Sequence, residues 1–434
     1  VLKIGANQPG TPRLRVLLIA EAANPEWTSV PLIGWNLSRA LSKYVDTHIV
    51  TQVRNRDALL RHGLTEGVHF TAIDSERIAS PLTKIAERLR GGDGKGWTMI
   101  SAFSALSYYS FERKLWEKFR DRLASREFDV VHRITPLSPT NASLIAKHLA
   151  RLNIPFVLGP LNGGVPWPPG FRRRQHSEKE WLAYVRDLYK LMPGYASTRR
   201  NSSAILVGSR YTQSELPGWA VKSSTYLPEN GVDEKVFHTP RSPGAVLPLT
   251  AVFVGRLVAY KGADIAIAAT SRFLRAGHLR LQIIGDGPER GRLEEQVRSS
   301  GLEDKVKFWG WLTQAELQEK LRTCDLLTFP SIREFGGGVV LESMALGVAP
   351  IVADYAGPSE LVDEDTGIRV PFVDEATLIQ GFERAIQRIV NEPQLLDRLG
   401  AAAREKVLTE FTWDAKAMKI VEVYRSILSR TRIE

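Results

Sequence analysis

The chain has 434 residues, 43% hydrophobic and 24% charged, with a formal net charge of +10 and a pI of about 9.6. That length exceeds one ordinary hydrophobic core and predicts two domains, while the mixed composition excludes a low-complexity or disordered chain. No apolar run is long enough to span a bilayer, and a single cysteine, Cys324, excludes an intrachain disulfide or a cysteine metal cluster.

The basic balance favours an anionic partner: a phosphorylated substrate, a membrane surface or nucleic acid. Cys324 precedes an apolar run and reads as a buried thiol. The polar stretch before Arg15 lacks the apolar core of a secretory signal. Together these point to a cytoplasmic protein, with a peripheral place on the cytoplasmic membrane face as an option.

In chain order, short Val/Ile/Leu/Phe-rich runs alternate with helical stretches. The first half predicts strands at Arg15–Ala20, Thr47–Val53, Val68–Ile73, Asp129–Ile134, Pro155–Gly159 and Ser203–Gly208. Near-continuous apolar strands of this kind belong to parallel sheets covered on both faces. Between the third and fourth, the glycine cluster Gly91–Gly96 reads as a mobile loop. After it, Phe111, Leu115, Trp116, Phe119 and Leu123 fall on one helical face, with Arg113, Lys114, Lys118, Arg120 and Arg122 mostly elsewhere. Two readings stay open, a helix packed on its own domain and a basic amphipathic face on a membrane. Asp129-Val130-Val131-His132 ends a strand in a histidine. Asn162-Gly163-Gly164 and Arg172-Arg173-Arg174 follow the next strand as a glycine turn and a basic loop.

The Pro/Gly/Ser cluster His238–Gly244 reads as a linker. The domains are accordingly 1–240 and 241–412, with the last helix, about 413–434, returning to the first. The second half predicts strands at Thr250–Gly255, Arg280–Gly285, Lys305–Trp309, Asp325–Pro330 and Pro350–Ala353. The whole is α/β, two doubly wound Rossmann-like units. After these strands come Gly255-Arg256 with Lys261-Gly262, then Gly285-Asp286-Gly287-Pro288, then Trp309-Gly310-Trp311, and finally Gly357-Pro358-Ser359-Glu360. Arg256 and Lys261 at a strand-to-helix opening suit a diphosphate, and one tryptophan of the pair suits a nucleobase.

The most telling stretch is Arg333-Glu334-Phe335-Gly336-Gly337-Gly338-Val339-Val340-Leu341-Glu342. Two carboxylates flank a bare glycine loop at a strand-to-helix turn. Backbone amides and a helix N-terminus suit phosphate there, and carboxylates suit sugar or ribose hydroxyls. A nucleotide sugar carries both groups.

Taken together, these loops resemble the nucleotide-sugar domain of the family-four retaining glycosyltransferases, which have the GT-B fold: two Rossmann-like domains facing a deep cleft. Leu227–Asp233 with Phe237, and Phe411-Thr412-Trp413, are similar to that family's segments at either end of the domain. The resemblance implies that Arg256 and Lys261 hold the donor diphosphate, Glu342 the ribose and Glu334 the donor sugar. Gly255, Gly285, Gly287, Trp309, Gly310, the amides of Phe335, Gly336, Gly337 and Gly338, and Val339 would complete the donor site. His132 would sit near the reacting carbon, with His132, Arg256, Lys261 and Glu334 as the catalytic set. Where the family has an N-terminal glycine-rich loop, this chain has Glu21–Trp27. Asn162, Gly163, Gly164 and Arg172 to Arg174 are therefore the acceptor-side candidates.

The implied activity is sugar transfer with retention, from a nucleotide-sugar donor to a glycan or lipid-linked acceptor, as in cell-surface polysaccharide or glycolipid synthesis. No metal or other cofactor is implied. The competing readings are a nucleotide-sugar epimerase, a glycoside hydrolase using Glu334 and Glu342, and a non-catalytic membrane or nucleic-acid binder. A nucleic-acid partner is not expected, since no arginine–aromatic module is visible.

Overall fold

The computed structural model describes residues 13–75, 97–177 and 189–431. The apolar runs build two wholly parallel sheets. The first contains β1 (Arg15–Ala20), β2 (Asp46–Gln52), β3 (Phe70–Ile73), β4 (Val130–Thr135), β5 (Phe156–Leu161), β6 (Ala204–Val207) and β7 (Ser224–Tyr226), in the order β3-β2-β1-β4-β5-β6-β7. The second contains β8 (Leu249–Val254), β9 (Leu279–Ile284), β10 (Val306–Gly310), β11 (Leu326–Phe329), β12 (Ala349–Ala353) and β13 (Ile368–Val370), in the order β10-β9-β8-β11-β12-β13. This is the two-sheet α/β architecture expected.

In each sheet the strand order reverses once, between β1 and β4 and between β8 and β11. Loops leaving neighbouring strands diverge at such a switch point and open a crevice beyond the strands' carboxyl ends. The loops after β8 and β11, which carry Lys261 and Glu334, leave from that point in the second sheet.

All eleven expected strands form, with ends moved by a residue or two. β7 and β13 were not expected. Each is three residues long at a sheet edge, too short to show a period. The glycine-rich Gly91–Gly96 stretch lies outside the described residues.

Each sheet is covered on both faces. On one face of the first lie the Val30–Ser42 helix and the last helix, Trp413–Thr431, which buries Ala417, Ile420 and Tyr424 there. The opposite face holds the Trp97–Ala124 helix. Phe111, Leu115, Phe119 and Leu123 are buried in this core, and Trp116 stacks on His148 with ring centroids 4.4 Å apart. The apolar stripe is thus spent inside the domain, which removes it as a membrane-facing surface. Among the described residues no helix is long and apolar enough to cross a membrane.

One segment crosses the division between the halves. Trp167 and Phe171, after β5, are buried in the core of the second sheet, and Phe171 meets Phe372 edge-on at 5.4 Å. Apolar side chains thus tie the loop after β5 to the other domain.

Candidate functional site

The turns beyond β8 and β9 interlock through glycine. Gly285 has φ 132°, and a Cβ on it would lie 2.0 Å from the Gly255 carbonyl oxygen. A Cβ on Gly287 would lie 2.4 Å from the Leu257 carbonyl oxygen. This close backbone approach holds the 255–258 turn, on which Arg256 stands exposed. A short 3-10 turn, Ala259–Lys261, then swings Lys261 back, and Gly262 (φ 75°) opens the Ala263–Arg275 helix.

Beyond β11 the chain turns through Pro330–Gly337 into the Gly338–Ala345 helix, with Gly337 left-handed at φ 60°. Gly338 and Val339 belong to the first turn of this helix. Helices cannot use their first amides internally, so these face the loop and carry the positive end of the dipole.

Lys261 and Glu334 meet here as an ion pair, with side chains 18% and 17% exposed. Burial opposes the charge on Lys261, yet the facing Glu334 carboxylate overrides it and holds the ammonium above its ordinary value. One helical turn on, Glu342 accepts a hydrogen bond from Gln314 Nε2 at 3.0 Å. Burial pushes its carboxyl up to about 7, against that bond. Gly255, Arg256, Lys261, Gly285, Gly287, Glu334, Phe335, Gly336, Gly337, Gly338, Val339 and Glu342 therefore share the carboxyl-end rim of one sheet.

Other expected site residues sit differently. His132 is fully buried: Nδ1 is 2.5 Å from the Tyr424 hydroxyl and Nε2 is 2.6 Å from the Gly159 carbonyl. Burial lowers its pKa to about 4. With both nitrogens taken, the ring ties β4 and β5 to the last helix and presents no nitrogen to the crevice. Trp309 lies between Lys307 and Lys320, whose ammonium groups are 3.8 and 3.6 Å from its ring centroid, and its Nε1 donates to Gln282 at 3.1 Å. Two ammonium groups thus crowd the ring that a base would need. Trp311, two residues on beyond Gly310, is 66% exposed.

The basic loop is also corrected in part. Arg174 is buried and bonds Asp264 at 2.9 and 3.0 Å and Glu375 at 2.9 Å. Burial works against its charge, and these carboxylates more than restore it, so the guanidinium is held above its ordinary value. It is a clamp on the second domain and not an acceptor contact. Arg172 is exposed on the same short helix, Arg172–Ser177, which also carries Arg173. Gly163 and Gly164 are half-buried beyond β5, while Asn162 is buried and bonds across to the second half.

Sequence reasoning missed several buried polar groups. Glu229 is 4% exposed and Lys416 is 1% exposed, and burial brings each to about 7 from opposite sides. Arg133 and Arg199 are buried under the loop after β4, donating to the carbonyls of Asn141 at 2.7 Å and Pro139 at 2.9 Å. For Arg133 the one available signal was a lone charged residue in an apolar strand. Among the described residues no group of three or more His, Cys, Asp or Glu could hold a metal ion. Cys324 is buried, and burial pushes its thiol up to about 12.

Two doubly wound sheets with a phosphate- and sugar-suited rim define a protein of the GT-B class. Residues 245–406 match the glycosyl transferases group 1 family model. Glycogen synthase of Mycobacterium tuberculosis is 29% identical over 262 residues, 59% of each chain. The chain spans about half the length of the curated relatives it matches. Sucrose-phosphate synthase from Thermosynechococcus elongatus superposes with a TM-score of 0.64 at 19% identity, over 96% of this chain and 100% of the other. Anabaena HepE in complex with UDP and glucose superposes with a TM-score of 0.59 at 16% identity, over 95% and 100%. At these identities the likeness shows the fold alone.

Proposed function

We propose that the protein transfers a sugar, with retention and without a metal, from a nucleoside-diphosphate sugar to a hydroxyl of a glycan or lipid-linked acceptor. The observation that carries this reading is the Lys261–Glu334 pair, set against the first turn of the Gly338–Ala345 helix. A diphosphate competes with Glu334 for the ammonium. Once Lys261 turns to phosphate, Glu334 is free to accept from sugar hydroxyls. Free enzyme and complex thus both keep the buried charges compensated.

In the reaction the C–O bond to the β-phosphate breaks, and negative charge grows on the departing nucleoside diphosphate. Arg256, Lys261 and the helix amides stabilise that charge. The acceptor oxygen bonds to the anomeric carbon from the same face, and its proton passes to the departing phosphate oxygen. No protein nucleophile is required. Glu342 accepts from the ribose, and Trp311, the exposed tryptophan of the pair, is the one assigned to the base in this reading. The HepE structure holds UDP and glucose, which supports a nucleotide-sugar donor by analogy of fold. A hydrolase reading leaves Arg256 and Lys261 without a task.

Calorimetric titration with UDP, GDP and ADP in the absence of divalent ions, then with sugar conjugates of the best binder, tests the proposal. One nucleotide that binds more tightly as its sugar conjugate is expected. The absence of binding by all three would overturn it. NMR of the product's anomeric configuration decides retention.

A further inference from the structure

Glu229 lies in the segment between β7 and β8, and its buried carboxyl is wedged between the halves of the molecule. Asn162 Nδ2, from the end of β5, donates to Glu229 Oε2 at 2.8 Å and to the Phe335 carbonyl at 2.9 Å. One amide group thus joins the first sheet, the linking segment and the loop beyond β11. Two glycines make room for the carboxyl. A Cβ on Gly208, beyond β6, would come 2.4 Å from Oε2, and one on Gly336 would come 1.9 Å from Oε1. Behind it, Lys416 of the last helix donates to the Pro228 carbonyl and attracts the carboxylate. Glu334 repels it from the loop side.

A buried carboxylate facing a second carboxylate is costly unless its position is useful or compensated. Here the compensation comes from Asn162 at the end of β5 and Lys416 of the last helix, both on the side of the first sheet, and Asn162 alone carries it across the junction to the Phe335 carbonyl. The loop that Asn162 seats is the one whose amides and Glu334 face the donor.

We propose that Glu229 is a positioning residue: through Asn162 it seats the 334–338 loop against the first sheet, coupling donor-sugar recognition to contact between the domains. The role in sugar recognition rests on the function proposed above, whereas the junction itself does not. Asn162 is accordingly a structural link and not an acceptor contact.

The test uses the full chain and two near-isosteric variants. Asn162→Asp turns the bridging donor into an acceptor facing Glu229 and the Phe335 carbonyl. Glu229→Gln keeps an oxygen for Asn162. In the ligand-free protein, amide hydrogen exchange at residues 335–339 is expected to speed up by about tenfold in Asn162→Asp, the size of one lost hydrogen bond. Exchange in β8 and β11 stays as in the parent, and Glu229→Gln lies closer to the parent. Calorimetry is expected to show the affinity for the sugar conjugate falling more than that for the bare nucleotide in Asn162→Asp. Unchanged exchange at 335–339 in folded Asn162→Asp would overturn the proposal. If that variant does not fold, Asn162→Ala is read the same way. A parent protein that binds no nucleotide sugar would overturn the proposed function, while the ligand-free exchange result would still decide the junction.

Discussion

Lys261 holds a charge that its own burial opposes, and it does so because Glu334 is beside it. Removing the lysine has two expected results. Lys261→Ala weakens donor binding by about 1–3 kcal/mol, the range for charge-assisted hydrogen bonds, and it strands a mostly buried carboxylate. Calorimetry reads the first, and thermal unfolding without donor reads the second. Glu342 makes a different prediction, in pH. Its folded carboxyl titrates near 7, above the ordinary 4.5. A raised carboxyl contributes stability below 4.5 and loses it as pH rises through 7. Glu342→Gln should therefore gain thermal stability relative to the parent as pH rises through that window. For ligand the sign reverses: the carboxylate is the better acceptor, so nucleotide affinity should fall as pH drops through 7. A Glu342→Gln profile that keeps this slope would exclude the ribose role.

At the scale of elements, the Trp97–Ala124 helix shows how far a pattern can be read. Its apolar stripe was visible in the sequence, but a stripe fits a core or a bilayer equally. The sheet settles it, because Phe119 lies against Phe128 with ring centroids 6.4 Å apart, inside the core. Phe119→Ala should cost about 3–5 kcal/mol, the range for a truncated core aromatic, read by thermal or denaturant unfolding. Unchanged stability would return the helix to the surface. The glycine turns were better determined. Gly285 and Gly287 stand where another backbone passes within van der Waals reach, and short Gly-rich turns after apolar strands announce that requirement directly. β7 and β13 were not legible, since three residues paired on one side carry too little pattern.

For the whole molecule, the question is what joins the halves. Arg174 meets Asp264 and Glu375, the Glu360 carboxylate accepts from the Arg210 amide at 2.9 Å, and the last helix returns to the first sheet. Arg174 was read in the sequence as a free basic loop, yet its charge is nearly enclosed. Removing one partner of a buried pair leaves the others uncompensated. Arg174→Ala should therefore lower stability by about 3 kcal/mol with little effect on acceptor affinity. A loss of acceptor affinity at unchanged stability would restore the basic-loop reading.

The two parallel sheets, and the rim of glycines and charged groups beyond the second sheet, were legible in the amino-acid sequence. Both follow from local chemistry: apolar strand runs, glycine where backbones approach, and charged groups at fixed distances from strand ends. Which polar residues face the crevice followed from the packing of the elements and not from the local pattern. His132 and Ile134 share one face of β4 while Arg133 takes the other, and all three are buried. Glu229, Asn162 and Lys416 are 67 and 187 residues apart in successive steps from Asn162. Their meeting depends on how the last helix returns to the first sheet, and the reach of Asn162 to the Phe335 carbonyl depends on how the second sheet docks there; no local pattern encodes either.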